Sequence, residues 1–184
     1  MSLKEKLLMH VCCGPCAVWP VTYLKNIGEF EISGLFYNPN IHPMEEFDTR
    51  KLAAKDFFAG EQLPLEIDNS FMQREWEAFD MERIRVADEE ERRCEMCYRI
   101  RLHFVAQKAQ EQGFDAFTTS LLVSPYQKHE MICAIAEEAA AKHRVRFYYH
   151  DFRPHFREGQ KMAKELGLYR QKYCGCILSK TTDR

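Results

Sequence analysis

The chain has 184 residues and a mass of 21.8 kDa, enough for one domain whose core needs no disulfide support. Its 46% hydrophobic and 29% charged residues exclude a disordered chain. No apolar run approaches the roughly 18 residues that span a bilayer, and Met1–Lys6 has no secretory apolar region, so a reducing cytoplasm and no membrane partner are expected. A net charge of −2 speaks against nucleic acid until its distribution is read. Residues 1–140 carry 15 Lys and Arg against 24 Asp and Glu, whereas residues 141–184 carry 11 against 4. That basic C-terminal quarter suits either a phosphate backbone or two solvated helix faces.

Leu7–Val11 is a short apolar run that ends at the first cysteines and reads as a strand. Ala17–Ile27 follows as a helix, with Pro20 tolerated because it lies near the first turn. Phe30–Tyr37 is strand-like and closes on the turn-forming Asn38-Pro39-Asn40. Met44–Ala59 is helical and Leu65–Ile67 is a short strand. After Phe71–Phe79 comes a long helix from about Asp88 to Gln112, with an acidic first turn and Gly113 as its stop. Phe114–Ser120 is a strand, Pro125–His143 a helix, Arg146–Tyr149 a strand, and Glu158–Leu166 a helix ending at Gly167. Strand and helix alternate without repeats or linkers. This predicts one α/β domain over residues 1–184, an open and mostly parallel sheet flanked by helices. In such a sheet the ligand crevice lies beyond the carboxyl ends of the strands, where Cys12 and Cys13 fall.

Cysteine is the outlier: seven of the eight lie in three tight clusters, which in a reducing compartment read as metal ligands or redox groups. His10-Val11-Cys12-Cys13-Gly14-Pro15-Cys16 contains Cys13-Gly14-Pro15-Cys16, the form of a thioredoxin tetrad, where a helix N-terminus lowers a thiol pKa. A thiol–disulfide exchanger would leave Cys12, Cys94, Cys97, Cys174 and Cys176 without a role. Cys94 and Cys97 share a helix face. With two sulfurs from the loop after the first strand they make a four-thiolate site, which zinc and iron–sulfur clusters both accept. The pairing of a crevice loop with a long helix is unlike two compact zinc knuckles and points to electron transfer. A zinc-stabilised nucleic-acid-binding module is the competing reading.

Cys174-Gly175-Cys176 admits a small strained disulfide that reduces easily, a second metal, or idle thiols in a tail. Cys133, among small apolar helical neighbours, reads as packing. Ser124-Pro125-Tyr126-Gln127 has the form of a capping box with Ser124 as N-cap, and that helix start could receive an anion. His10, His129, His150 and His155 have no mutual metal-ligand spacing, and His10 reads as a core histidine.

Taken together, these motifs resemble a known family. His10-Val11-Cys12-Cys13-Gly14-Pro15-Cys16, Cys94-x-x-Cys97-Tyr98-x-x-Arg101-Leu102, Thr119-Ser120-Leu121-Leu122-x-Ser124-Pro125-Tyr126-Gln127 and Cys174-Gly175-Cys176 resemble, in that order, the cobalamin-independent epoxyqueuosine reductases (QueH). The resemblance runs from residue 10 to residue 176, with Gly14 where Ala is more often expected. It implies a fold related to the adenine-nucleotide alpha-hydrolase (PP-loop) group. Cysteines stand where that group has its glycine-rich phosphate loop, so ATP use is not expected, and the resemblance to a cobalamin-independent family implies no cobalamin. It implies reduction of epoxyqueuosine to queuosine at the wobble base of tRNAs with GUN anticodons, with electrons from an external donor. It places a [4Fe–4S] cluster on Cys12, Cys13, Cys94 and Cys97, with Cys174 and Cys176 as a redox pair.

Opening an epoxide to an alkene with loss of water takes two electrons and two protons, whereas such a cluster ordinarily passes one electron at a time. A thiol pair or an additional iron, with Cys16 as a ligand, would supply what is missing. Asp151, Tyr126 and His129, near predicted strand ends or helix starts, are candidate proton donors. Lys142, Arg144, Arg146, Arg153, Arg157, Arg170 and Lys172 are candidate phosphate contacts. Tyr148, Tyr149, Phe152 and Tyr169 are candidates for stacking on splayed bases, and the target base must be extruded to reach the crevice.

Overall fold

Along the first strand Leu7, Met9 and Val11 alternate with Leu8 and His10, and both sets are buried. Burial on both faces marks a central strand of a covered parallel sheet. The structure, a computed structural model, describes residues 4–71 and 89–176 together with Ser179. Of the segment Phe71–Phe79, only Phe71 belongs to the described residues. The elements are β1 (Glu5–His10), α1 (Gly14–Ile27), β2 (Phe30–Phe36), α2 (Met44–Gly60), β3 (Leu65–Ile67), α3 (Glu89–Glu111), β4 (Ala116–Thr119), α4 (His129–His143), β5 (Arg146–Phe147) and α5 (Phe156–Glu165). Short 3-10 turns span Ser120–Val123 and Arg153–His155. The strand order is β3-β2-β1-β4-β5, with every adjacent pair parallel, so the expected α/β sheet is present.

Helices cover both faces. Leu7, Met9 and Val11 pack with Val18, Val21 and Leu24 of α1, Phe47 and Phe58 of α2, and Ala163 of α5. Leu8, Leu35 and Phe117 pack on the other side with Leu102, Val105, Ala106 and Ala109 of α3 and Ile132, Ile135, Ala136 and Ala139 of α4. The α3 set recurs at i, i+3, i+4 and i+7, the apolar stripe of a helix lying on a core. No helix among the described residues is long and apolar enough to cross a membrane.

Two helices start three or more residues from the predicted position. α1 begins at Gly14, with Pro15 in its first turn, so Pro20 lies inside the helix. With no N–H on Pro20, the Cys16 carbonyl loses its helical donor. α4 begins at His129, its N-cap Lys128 makes no side-chain cap bond, and Ser124 does not cap it. The Ser124 Oγ instead accepts from the Tyr126 N–H at 3.3 Å. The capping box fails because Gln127 is engaged across the site, as described below.

Gly14 is a close-approach glycine. A Cβ there would stand 2.5 Å from the Ala53 carbonyl oxygen, since α2 crosses the first turn of α1 at backbone contact. Alanine, the residue the resemblance leads one to expect, therefore displaces α2 in this chain. Gly14→Ala is expected to lower stability by about 1–3 kcal/mol, the usual cost of overpacking. Urea unfolding checks this, and an unchanged midpoint would show that α2 yields freely.

Candidate functional site

The strand order reverses between β1 and β4, and a ligand crevice opens beyond their carboxyl ends. His10, the last residue of β1, locks the two loops that leave here. Its Nε2–H donates to the Tyr37 carbonyl at 3.0 Å; because a carbonyl only accepts, Nδ1 takes the Thr119 hydroxyl proton, also at 3.0 Å. Burial pushes the His10 pKa down to about 4, so it is a neutral core histidine. Next along the chain, the Cys12 N–H donates to Ser120 Oγ at 3.0 Å, and the Ser120 hydroxyl donates back to Cys12 Sγ at 3.3 Å.

The sulfurs of Cys12, Cys13 and Cys16 all lie within 4.8 Å of one another, and all three residues are buried. Hydrogen bonds from Cys13, Cys16 and then Ser120 stabilise a Cys12 thiolate and hold its pKa well below the usual range. Burial and the neighbouring Cys12 push Cys13 up, and Cys12 and Cys13 push Cys16 up. The Gln171 Nε2 donates to Cys13 Sγ at 2.9 Å and to Cys16 Sγ at 3.3 Å. A thioredoxin-type pair needs a low-pKa, accessible attacking thiol. Cys13 is 1% exposed and its thiol is pushed the other way, so nothing favours that reading.

The second cluster sits on α3. Burial pushes the Cys97 thiol up to about 12, against the pull of Arg101, whose Nη2 donates to Cys97 Sγ at 2.9 Å. Tyr98, the next residue, donates its hydroxyl to Gln127 Oε1 at 2.7 Å, and Gln127 Nε2 donates to Cys174 Sγ at 3.5 Å. α3, the loop before α4 and the C-terminal segment are thereby tied together.

That segment is held chiefly by Arg50 of α2, which is buried at 3% exposure. Its Nη1 and Nη2 donate to the carbonyls of Cys174 at 3.1 Å and Tyr173 at 3.0 Å, and its Nε pairs with Glu46 at 2.7 Å. All eight cysteines are free, so the strained disulfide expected of Cys174 and Cys176 is not formed. Gly175 between them has a φ of +118°, and a Cβ there would meet Arg50 Nη1 at 3.0 Å.

Two adjoining cavities bring the clusters together. The larger, about 310 Å³, is lined by Cys12, Cys16, Cys174, Arg50 and Arg101, among others. The smaller, about 90 Å³, is lined by Cys94, Cys97, Cys174 and Cys176, with Tyr98 and Gln127. Cys174 faces both. Seven cysteines from three distant stretches of sequence thus meet at one end of the sheet, while Cys133 packs half-buried against the core. Arg50, Gln171 and Ser120 are the residues that sequence reasoning gave no role. Arg50 shows in the sequence only as an (i, i+4) partner of Glu46, indistinguishable from an ordinary helical ion pair.

Other expectations change. Asp151 is not among the cavity-lining residues; it forms a two-pronged ion pair with Arg153, at 2.8 Å on each oxygen. Hydrogen bonds from Arg153 hold its pKa down to about 2, so it has no proton to give near neutrality. His129 is bound to the Tyr149 hydroxyl at 3.1 Å. Phe152 is fully buried in the core and is no stacking surface. Tyr126, 65% exposed, stands at the mouth of the larger cavity in edge contact with Phe156 at 5.7 Å.

The basic quarter is also divided. α4 carries the chain away from the cavity, so Lys142, Arg144 and Arg146 come at the amino end of the sheet, where Arg146 pairs with Glu5. Lys172 lines the cavity, with Arg170 beside it in sequence, and Arg157 follows Phe156 at the start of α5.

Known proteins resemble this chain throughout its length. Residues 7–182 match the family described as "Epoxyqueuosine reductase QueH". A protein named epoxyqueuosine reductase QueH from Dehalococcoides mccartyi is 35% identical over 96% of this chain and 93% of its own length. One of the same name from Thermotoga maritima is 33% identical over 94% of this chain and 89% of its own. Among solved structures, the U34-tRNA thiolase NcsA from Methanococcus maripaludis, with its [4Fe-4S] cluster, aligns with a TM-score of 0.61 at 14% identity, covering 93% of this chain and 60% of that one. That is a likeness of fold, and it agrees with the PP-loop-like architecture.

Proposed function

The chain belongs to the epoxyqueuosine reductase QueH family, and from that premise we propose that it reduces epoxyqueuosine to queuosine at the wobble base of tRNAs with GUN anticodons. The observation that carries this reading is the convergence of six cysteines on two adjoining cavities at the ligand end of a parallel sheet, with the Cys13 sulfur within 4.8 Å of those of Cys12 and Cys16. The epoxide loses its oxygen as water, taking up two electrons from an external low-potential donor and two protons.

The donor set fits an iron–sulfur centre: thiols, buried apart from the half-buried Cys94 and Cys174, with N–H and O–H groups directed at the sulfurs of Cys97, Cys12 and Cys13. Cys12, Cys13, Cys94 and Cys97 would hold a [4Fe–4S] cluster, with Cys16 available to an additional iron. Cys174 and Cys176 stand beside them as the proposed redox pair. When bound, the cluster supplies electrons one at a time. The chain's own residues shape the cavity, keep water from the reacting carbons and order the sulfurs. Arg50 holds the Cys174 backbone, Gln171 orders Cys13 and Cys16, and Gln127 orders Cys174.

The extruded base enters past Tyr126. Base–aromatic stacking contributes about 1–3 kcal/mol, so Tyr126→Ala should raise KM for tRNA by about tenfold with kcat nearly unchanged, and Tyr126→Trp should restore it. Arg170→Ala/Lys172→Ala should weaken tRNA binding and flatten its salt dependence. Arg144→Ala/Arg146→Ala, at the far end of the sheet, should not.

The decisive experiment combines iron and acid-labile sulfide analysis of anaerobically reconstituted protein with turnover of epoxyqueuosine-containing tRNA under a chemical reductant. A product nucleoside lighter by one oxygen atom supports the reading. Zinc without sulfide, or no conversion by iron–sulfur-loaded protein, overturns it.

A further inference from the structure

Arg101 is a buried cation, 2% exposed, and among the described residues no carboxylate pairs with it. Nη2 donates to Cys97 Sγ at 2.9 Å and Nε to the Cys97 carbonyl at 3.1 Å. Arg101 also lies over the face of Tyr98, whose ring centre is 5.6 Å away. Arg50, which is also buried and lines the larger cavity, pairs with Glu46 at 2.7 Å. An unpaired buried charge costs several kcal/mol, so the groups that balance Arg101 are the sulfurs around it. Cys12 and Cys174 line the same cavity as Arg101.

We propose, resting on the iron–sulfur reading above, that Arg101 is a positioning residue that acts through Cys97 to make the metal centre easier to reduce. A guanidinium does not lose its proton in a protein, so the positive charge stays fixed whatever the state of the centre. Thiolate-ligated clusters carry net negative charge, and each added electron increases it. A fixed cation 2.9 Å from a ligand sulfur stabilises the reduced state more than the oxidised one, since net charge and hydrogen bonds to sulfur set such potentials. The other donors to sulfur, Ser120, Gln171 and Gln127, are neutral. Arg101 differs from them in carrying a whole charge, and it also lines the cavity that Cys12 and Cys174 line.

The test is a dithionite redox titration followed by EPR, on anaerobically reconstituted wild type, Arg101→Gln and Arg101→Lys, with iron and sulfide measured in each. In Arg101→Gln with iron and sulfide retained, the reduced-to-oxidised ratio at a fixed potential should fall at least tenfold, a shift of about 59 mV for one electron. Arg101→Lys keeps the charge and should stay closer to wild type than Arg101→Gln does. Loaded variants with unchanged potentials overturn the proposal and leave Arg101 a packing residue. Loss of iron and sulfide from both variants also overturns it, assigning Arg101 to assembly of the site. A wild type without iron and sulfide is a different result, since it removes the parent reading itself.

Discussion

Cys94→Ala/Cys97→Ala is expected to strip iron and sulfide from the reconstituted protein and to lower turnover of epoxyqueuosine tRNA by more than about a thousandfold, an increase of roughly 4 kcal/mol in barrier. The two sulfurs occupy successive turns of α3 and face the same small cavity as Cys174 and Cys176. Removing both takes away half of the proposed cluster ligands and leaves Arg101 Nη2 without its sulfur. The fold should survive, because α3 is anchored by Leu102, Val105, Ala106 and Ala109 further along the helix. Circular dichroism of the metal-free variant checks this, and Cys133→Ala serves as the control that keeps iron, sulfide and activity. A double variant that retains its full iron content would remove Cys94 and Cys97 from the ligand set.

The largest effect on stability is expected from Arg50→Met. Arg50 joins α2 to the C-terminal segment by two carbonyl hydrogen bonds and shields Glu46 by an ion pair at 2.7 Å. Removing one member of a largely buried pair typically costs about 3–5 kcal/mol, and here Glu46 would keep, among the described residues, only the Tyr169 hydroxyl as a partner. Arg50→Met/Glu46→Leu removes both charges and should recover much of that loss. The single variant should also free residues 173–176, visible as protease cleavage there, and should lose activity through Cys174. If denaturant unfolding of Arg50→Met matched wild type, the segment would have to be held by its other tethers. Those include the His42 N–H on the Gly175 carbonyl at 2.7 Å, the Tyr173 hydroxyl on the His42 carbonyl and Gln127 Nε2 on Cys174 Sγ.

Much of this architecture is legible without coordinates, for reasons that are local. The strand Leu65–Ile67 coincides with β3, and the helix predicted from about Asp88 to Gln112 becomes Glu89–Glu111. An apolar run, a period of 3.6 and a stop glycine are properties of neighbouring residues. The errors fall where a distant partner overrides a local preference. Ser124 and Gln127 have the composition of a cap, yet Gln127 binds Tyr98 and Cys174 and the helix starts four residues beyond the predicted Pro125, at His129. Pro20 would suit a first turn, but α1 extends back to Gly14, where α2 lies at backbone contact.

The site divides along the same line. The sequence by itself determined the chemistry, because thiol clusters with characteristic spacings and a family resemblance reside in residue identity and order. Only the tertiary structure decided which groups serve that chemistry. It sent Lys142, Arg144 and Arg146 to the far end of the sheet, engaged Asp151 with Arg153 and buried Phe152. It brought Arg50 and Gln171, unremarked in the sequence, onto the cysteine segments. The physical reason is range. Helix and strand preferences act over a few residues, whereas a buried charge or sulfur is satisfied by whatever the fold carries to within hydrogen-bonding distance of it, here across 124 residues between Arg50 and Cys174.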